Sequence, residues 1–222
     1  MSIAQRLKKL RWASFVEKVT GERTAKELLY AHMLAEALRT ANIPCQPFYP
    51  IGGAANYSLL YLIYRIQTEF APTATLELGI GQSTLLLDAL GAGGVSIEHD
   101  EDWAAIMRTK VEREILALPL EPRSYRGVEA NSYVFDGSKA FDFAIVDGPQ
   151  GSARNSRWGA LEILERSLAD EFIVIFDDAE RRGEQDTAME FQRMRGGNVH
   201  IVRAASSQCL IFTDRFRAAG WF

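Results

Sequence analysis

The chain has 222 residues, with 47% hydrophobic and 24% charged residues and a net charge of −4. This composition excludes disordered, collagen-like and coiled-coil proteins and suits one domain with a decorated end. The acidic balance, with a pI near 5.5, argues against a nucleic-acid binder that relies on a broad basic field. Two cysteines, Cys45 and Cys209, are too few for a disulfide scaffold or a cysteine-built zinc site and point to a reducing compartment.

The N-terminal stretch to Val19 carries Arg6, Lys8, Lys9 and Arg11 where a signal peptide would be apolar. The longest charge-free run, Thr40–Tyr64, holds Pro44, Pro47, Pro50, Gly52 and Gly53, which bars a membrane-spanning helix. The expectation is a soluble, cytoplasmic protein with no transmembrane segment. Residues 1–40 carry a local net charge of +4 and the remainder −8. An amphipathic helix is predicted over 2–19, with Ile3, Leu7, Leu10 and Phe15 on one face. A second helix is predicted from Thr24, which with Glu27 resembles a capping box, and Leu28, Leu29, His32 and Leu38 lie on or near its buried side. Asn42–Gly53 reads as a loop. Residues 1–55 are thus expected to form a helical cap and 56–222 the main domain. The basic, apolar first helix suits packing on its own core or a homodimer contact better than a membrane surface.

From residue 56 onward the pattern becomes a strand–helix alternation. A buried helix covers 56–69. Strands are predicted at Thr75–Ile80, Gly94–Glu98, Arg123–Val128, Phe141–Val146 and Phe172–Phe176. Helices are predicted at Ser83–Leu90, from Asp100 through Trp103, Ile106, Val111 and Ile115, at Arg157–Leu168 and at Glu184–Arg195. This alternation implies a parallel sheet covered on both faces. Val199–Ala204 and Gln208–Thr213 are separated by so few residues that they pair antiparallel.

The sharpest motif is Leu76-Glu77-Leu78-Gly79-Ile80-Gly81-Gln82-Ser83-Thr84, at a strand-to-helix junction where an open α/β sheet binds ligands. A dinucleotide site requires a third glycine where Thr84 stands. Glu77, two residues before the first glycine, disfavours a pyrophosphate and favours a cationic amino-acid ligand, hence S-adenosylmethionine. Glu98 ends the next strand 19 residues after Gly79, where a ribose-binding acid belongs; His99 follows it, and Asp100 suits a helix cap. The expected cofactor contacts are Glu77, Gly79, Gly81, Ser83, Thr84, Glu98, His99 and Asp147. An NAD(P)-dependent oxidoreductase and a non-catalytic interaction protein are the competing readings.

With LELGIGQST, SIEHD, FAIVDGPQG and IVIFDDAE, residues 56–214 resemble the class I S-adenosylmethionine-dependent methyltransferases, in particular the small-molecule and sugar O-methyltransferase branch. The resemblance implies a Rossmann-like α/β fold with a seven-stranded, mostly parallel sheet in the order 3-2-1-4-5-7-6, strand 7 antiparallel. It implies a small-molecule or carbohydrate acceptor. Asp147-Gly148-Pro149-Gln150 replaces the Asn/Asp-Pro-Pro-aromatic tetrapeptide of DNA adenine methyltransferases, so no nucleic-acid substrate is expected.

Asp147 ends the fourth predicted strand, and Asp177 and Asp178 end the fifth. Adjacent strands lie about 5 Å apart, so these carboxylates converge and require a cation or a proton among them. Mg²⁺ is the expected ion, as the resemblance to catechol-type enzymes also implies; capping, or pairing of Asp178 with Arg181 or Arg182, is the alternative. The catechol-type lysine position holds Gln150, which leaves Asp147 and Asp178 as candidate general bases, ahead of His99. Arg154, Arg157, Arg181 and Arg182 flank the acids and suit an anionic or carbohydrate substrate, with Arg157 read rather as a solvated helix start. His32 and His200 are assigned to packing or surface.

Overall fold

The structure is a computed structural model that describes residues 3–44, 55–137, 141–149 and 154–222, with the backbone alone over 3–19. Cys45, the Pro/Gly-rich loop through Gly53, Gln150 and the apolar face of 2–19 lie outside the described residues and side chains. Among the described residues no helix is long and apolar enough to cross a membrane.

A single helix, α1 (Ile3–Thr40), replaces the two predicted ones. Thr24 does not cap a new start; its hydroxyl donates to the Thr20 carbonyl one turn back at 3.0 Å, a bond that leaves the helix continuous. Glu27 does act as a cap, but for the next helix: its carboxylate accepts from the Ser58 amide at 3.0 Å in the first turn of α2 (Tyr57–Phe70). Leu34 and Leu38 face the core, whereas Leu28, Leu29 and His32 are exposed. The expected buried side of this segment is therefore shifted around the helix.

Then follow β1 (Thr75–Leu78), α3 (Gln82–Ala89), β2 (Gly94–Glu98), α4 (Glu101–Arg108), β3 (Glu114–Ala117), β4 (Leu120–Tyr125), β5 (Val128–Tyr133) and β6 (Phe141–Val146). The chain continues through α5 (Ala160–Ser167), β7 (Leu168–Phe176), α6 (Arg182–Arg195), β8 (Asn198–Arg203), β9 (Ser207–Phe212) and a 3₁₀ helix over Asp214–Trp221. Seven strands form one sheet in the order β3-β2-β1-β6-β7-β9-β8. β1, β2, β3, β6 and β7 run parallel, and β9 pairs antiparallel with both β7 and β8. This is the order and the antiparallel C-terminal hairpin expected above.

The third sheet strand, Glu114–Ala117, differs from the expected one. Ile115 belongs to β3, not to the helix begun at Asp100, because α4 ends at Arg108. The expected strand at 123–128 is instead part of a separate antiparallel hairpin, β4–β5. Its alternate exposed residues show why it cannot enter a sheet buried on both faces.

The central strands are buried on both sides. Alternate residues of β6 part to opposite faces: Ala144 and Val146 pack with Leu161, Leu164 and Phe191, while Phe143 and Ile145 pack with Leu59, Ile63, Leu86 and Phe216. Asp142, the one charge in β6, accepts from the Thr73 and Ala74 amides and from Arg215. It thereby ties the base of the sheet to the chain's C-terminal helix.

Candidate cofactor and acceptor site

Parallel pairing brings the carboxyl ends of β1, β2, β6 and β7 to one edge. The Gly79 amide donates to the Ile97 carbonyl, Asp147 to Leu78 and Asp177 to Val146. The loops that follow β1 and β6 touch. Gly79 has φ +86°, and a Cβ there would lie 2.8 Å from the Gly148 nitrogen, so only glycine serves on both counts. Gly81 is different: among the described residues nothing stands within 4 Å of where its Cβ would be.

Glu77 leaves its Oε1 without a hydrogen-bond partner among the described residues. It is fully buried beneath the loop, where Oε2 accepts from Thr84 Oγ1 at 2.8 Å and Ser96 Oγ at 2.6 Å. Thr84 Oγ1 in turn accepts from the Gly81 amide at 2.9 Å, so one hydroxyl links carboxylate and loop. The charge next to Glu77 is Arg113, whose Nε donates to the same Ser96 Oγ at 2.8 Å. Burial pushes the Glu77 carboxyl above its ordinary range, and Arg113 opposes the shift. Arg113 lies in a segment whose spacing predicts helix, which hides its burial. It stands instead just before β3, with Nη2 on the Thr75 carbonyl.

Glu98 sits at the end of β2 as expected. Its Oε1 accepts from the amides of His99 (2.7 Å) and Asp100 (3.0 Å), and Oε2 from Ile80 (3.3 Å). It thus joins the first two loops of the edge. His99 turns its Nδ1 to Glu98 Oε1 at 2.7 Å, and Asp100 caps α4 by accepting from the Trp103 amide. Ser83 and Thr84 are buried in the first turn of α3.

Tyr133, at the end of β5, stands at the same edge and was not singled out by its sequence. Its ring lies beside His99. Its hydroxyl would stand 2.6 Å from a Cβ on Gly148. That hydroxyl is buried and finds no hydrogen-bond partner among the described residues. Burial, together with the nearby Glu98 carboxylate, pushes its pKa far up, so it remains a proton donor. A buried hydroxyl of this kind calls for a partner outside the described residues.

Asp147, Asp177 and Asp178 do converge, each with a carboxylate oxygen within 4.8 Å of the others. Burial and the charges of Asp177 and Asp178 raise the Asp147 carboxyl well above its usual range, against the pull of Arg157. The cation among them is Arg157. It is 5% exposed, not a solvated helix start, because α5 begins only at Ala160. Its Nη2 reaches Asp147 Oδ1 at 3.1 Å and Asp178 Oδ2 at 2.9 Å, and Nη1 donates to the Asp177 carbonyl at 2.9 Å. Arg181 adds a second contact to Asp178 at 2.8 Å, and Asp177 Oδ1 accepts from Gln208 at 2.8 Å. A guanidinium thus already holds one oxygen each of Asp147 and Asp178, part of the donor set expected for Mg²⁺. Arg154 is likewise engaged, by Asp186, while Arg182 is exposed. His200 packs against the Phe222 carbonyl.

No protein-family model matches the chain, and no curated protein sequence does. Solved structures do match. An O-methyltransferase from Bacillus cereus in complex with S-adenosylhomocysteine superposes with a TM-score of 0.51 at 15% identity, over 87% of this chain and 100% of that one. The O-methyltransferase TomG from Streptomyces achromogenes, involved in tomaymycin synthesis and solved with S-adenosylmethionine, gives 0.50 at 16% identity, over 87% and 98%. With the strand order and the antiparallel β9, these likenesses show that the chain has the Rossmann-like fold of class I methyltransferases.

Proposed function

We propose that this protein is an S-adenosylmethionine-dependent methyltransferase acting on a hydroxyl of a small molecule or sugar. The observation that carries the reading is the unpartnered Tyr133 hydroxyl at the Gly79–Gly148 contact, flanked by Glu98 and Asp147. This set suits a ligand with ribose hydroxyls, an amino-acid end and a positive charge. The bound cofactors of the two O-methyltransferases of like fold support that choice.

When bound, S-adenosylmethionine supplies an electrophilic methyl group on a sulfonium. Gly79 and Gly81 let it approach the backbone, and Ser83 and Thr84 open the helix behind them. Glu77 acts from beneath, holding the loop through Thr84. Glu98 accepts from ribose hydroxyls with the lone pairs its three amides leave, and His99 borders it. Tyr133 donates to an oxygen of the cofactor or acceptor. Asp147, its basicity raised by burial and by its acidic neighbours, takes the acceptor's hydroxyl proton. Asp178 shares Arg157 with it and fixes its orientation.

Residues 1–55 form a cap on this reading and 56–222 the transferase domain. The exposed Leu28 and Leu29 on α1 support self-association along that helix, which light scattering measures. The sparse cysteines support a reducing, cytoplasmic setting.

Calorimetry with S-adenosylmethionine, S-adenosylhomocysteine and NADH tests the cofactor, followed by a labelled-methyl screen over sugar and phenolic acceptors. Binding of the first two ligands but not NADH is expected. Tight NADH binding with neither of the others would overturn the reading in favour of an oxidoreductase. Binding with no turnover on any acceptor would favour a non-catalytic protein of this fold.

A further inference from the structure

The structure assigns to Arg157 the place that a divalent cation was expected to fill: we infer that its guanidinium is the resident cation of the Asp147–Asp177–Asp178 cluster and that the site works without a bound metal. The placement stands on geometry alone; its consequence for methyl transfer rests on the function proposed above.

Three observations support it. Arg157 is buried, and a single nitrogen, Nη2, lies within hydrogen-bond reach of both Asp147 and Asp178. Those two carboxylates come from different strand ends, so the guanidinium spans the gap a metal would bridge. Its other terminal nitrogen is anchored to the Asp177 carbonyl, and Glu184 lies 3.9 Å from Nε. The group is therefore held on several sides and is not free to swing away. Finally, the charge is already supplied. Arg157 and Arg181, both in contact with Asp178, bring the two positive charges that one divalent ion would bring. A metal at these oxygens would be repelled by a buried guanidinium bonded to the same atoms.

A planar guanidinium differs from a metal in what it can do. It orients two carboxylates by hydrogen bonds, but it leaves no open coordination position for an acceptor oxygen. Arg157 is thus a positioning residue for Asp147, and an acceptor is recognised by hydrogen bonds rather than by chelation through paired oxygens.

Mn²⁺ titration followed by electron paramagnetic resonance tests the assignment without any acceptor, with Mg²⁺-dependent thermal shift in parallel. Wild-type protein should show no saturable Mn²⁺ site and no Mg²⁺-dependent rise in Tm. Arg157→Ala should gain one site at least about tenfold tighter than any wild-type binding, because Asp147 and Asp178 lose the guanidinium that stands between them. Adding Asp178→Asn should remove that site, and Arg157→Lys, which keeps the charge, should stay silent. A wild-type Mn²⁺ site that Asp178→Asn abolishes would overturn the inference, as would a folded Arg157→Ala that binds no better than wild type. If Arg157→Ala does not fold, the wild-type titration decides: silence supports the assignment and binding through Asp178 refutes it. A separate S-adenosylhomocysteine titration of wild type keeps failure here distinct from failure of the proposed function.

Discussion

Gly79 and Gly148 stand so close that neither position has room for a side chain: a Cβ at Gly148 would lie 2.7 Å from Gly79 Cα, and one at Gly79 would lie 2.9 Å from Gly148 Cα. The obstacle on each side is backbone, which cannot turn away as a flexible side chain can. The contact locks the loop after β1 to the loop after β6, so the two halves of the proposed site share one fixed wall.

Gly148→Ala should therefore lower stability by about 1–3 kcal/mol, the usual cost of overpacking, which for a chain of this size is a fall in Tm of roughly 2–10 °C. It should also weaken S-adenosylhomocysteine binding, because Tyr133 and the Gly79 loop must move. Gly81→Ala is the contrast. Its Cβ meets nothing among the described residues, so Tm should hold while cofactor affinity falls. Scanning calorimetry and titration of the two variants separate the outcomes; equal losses of Tm in both would refute the assignment of Gly81 to the ligand face.

Removing Glu98 should act on the cofactor. Its carboxylate joins Ile80, His99 and Asp100 by their amides and is proposed to receive the ribose hydroxyls. Glu98→Ala should weaken S-adenosylmethionine binding by about 1–3 kcal/mol, the cost of losing hydrogen bonds to a charged group. Isothermal titration of a folded variant with unchanged affinity would take Glu98 out of the site.

The contrast between β6 and β3 shows what was legible in the sequence. Phe141–Val146 and Gly94–Glu98 are continuous short runs whose burial on both faces leaves one interpretation, and their predicted bounds match the structure. Glu114–Ala117 is only four residues long, and its Ile115 falls at helical spacing from Val111, so a helix absorbed it. The glycine loop and the acids at the strand ends were readable because each stands beside a clear strand. Arg157 and Tyr133 were not. An arginine ten residues after Asp147 looks solvated until the fold brings Asp178 to it, and Tyr133 reaches the edge only through a hairpin that stands off the main sheet. Burial of a charge or a hydroxyl depends on partners distant in the chain, which local patterning does not encode.

Glu77 and Arg113 form a buried pair through Ser96 Oγ, and breaking one side should cost more than breaking both. Arg113→Met leaves Glu77 without its counter-charge and should destabilise by about 3–5 kcal/mol. The double change Arg113→Met with Glu77→Gln should recover part of that loss, with a coupling energy of about 1–3 kcal/mol. The sign of the pH effect follows from the raised Glu77 carboxyl. A group protonated more readily in the folded state stabilises at low pH and loses that contribution as pH rises through its folded pKa. The single variant should thus be least stable on the alkaline side and recover on acidification. Urea unfolding at pH 5 and pH 8 checks this; additive losses at both pH values would contradict the pairing.

Asp177 gives the last prediction, because its carboxyl is pushed up from 3.8 to about 6, chiefly by burial and then by the charge of Asp178, while Gln208 and Arg157 oppose the shift. Below its unfolded pKa the residue is neutral in both states and costs nothing. Between about 4 and about 6 the unfolded chain releases the proton first, so stability falls as pH rises through this window and stays reduced above it. Asp177→Asn abolishes the titration and retains an oxygen to accept from Gln208 Nε2. Arg157 holds the Asp177 backbone carbonyl rather than its side chain, so that anchor also survives. The variant should be about 1–3 kcal/mol more stable than wild type at pH 8, from a shift of about two pKa units, and close to wild type at pH 4. Chemical denaturation across this range reads the difference directly. A variant no more stable than wild type at pH 8 would mean that Gln208 and Arg157 offset the burial of the Asp177 carboxylate in full.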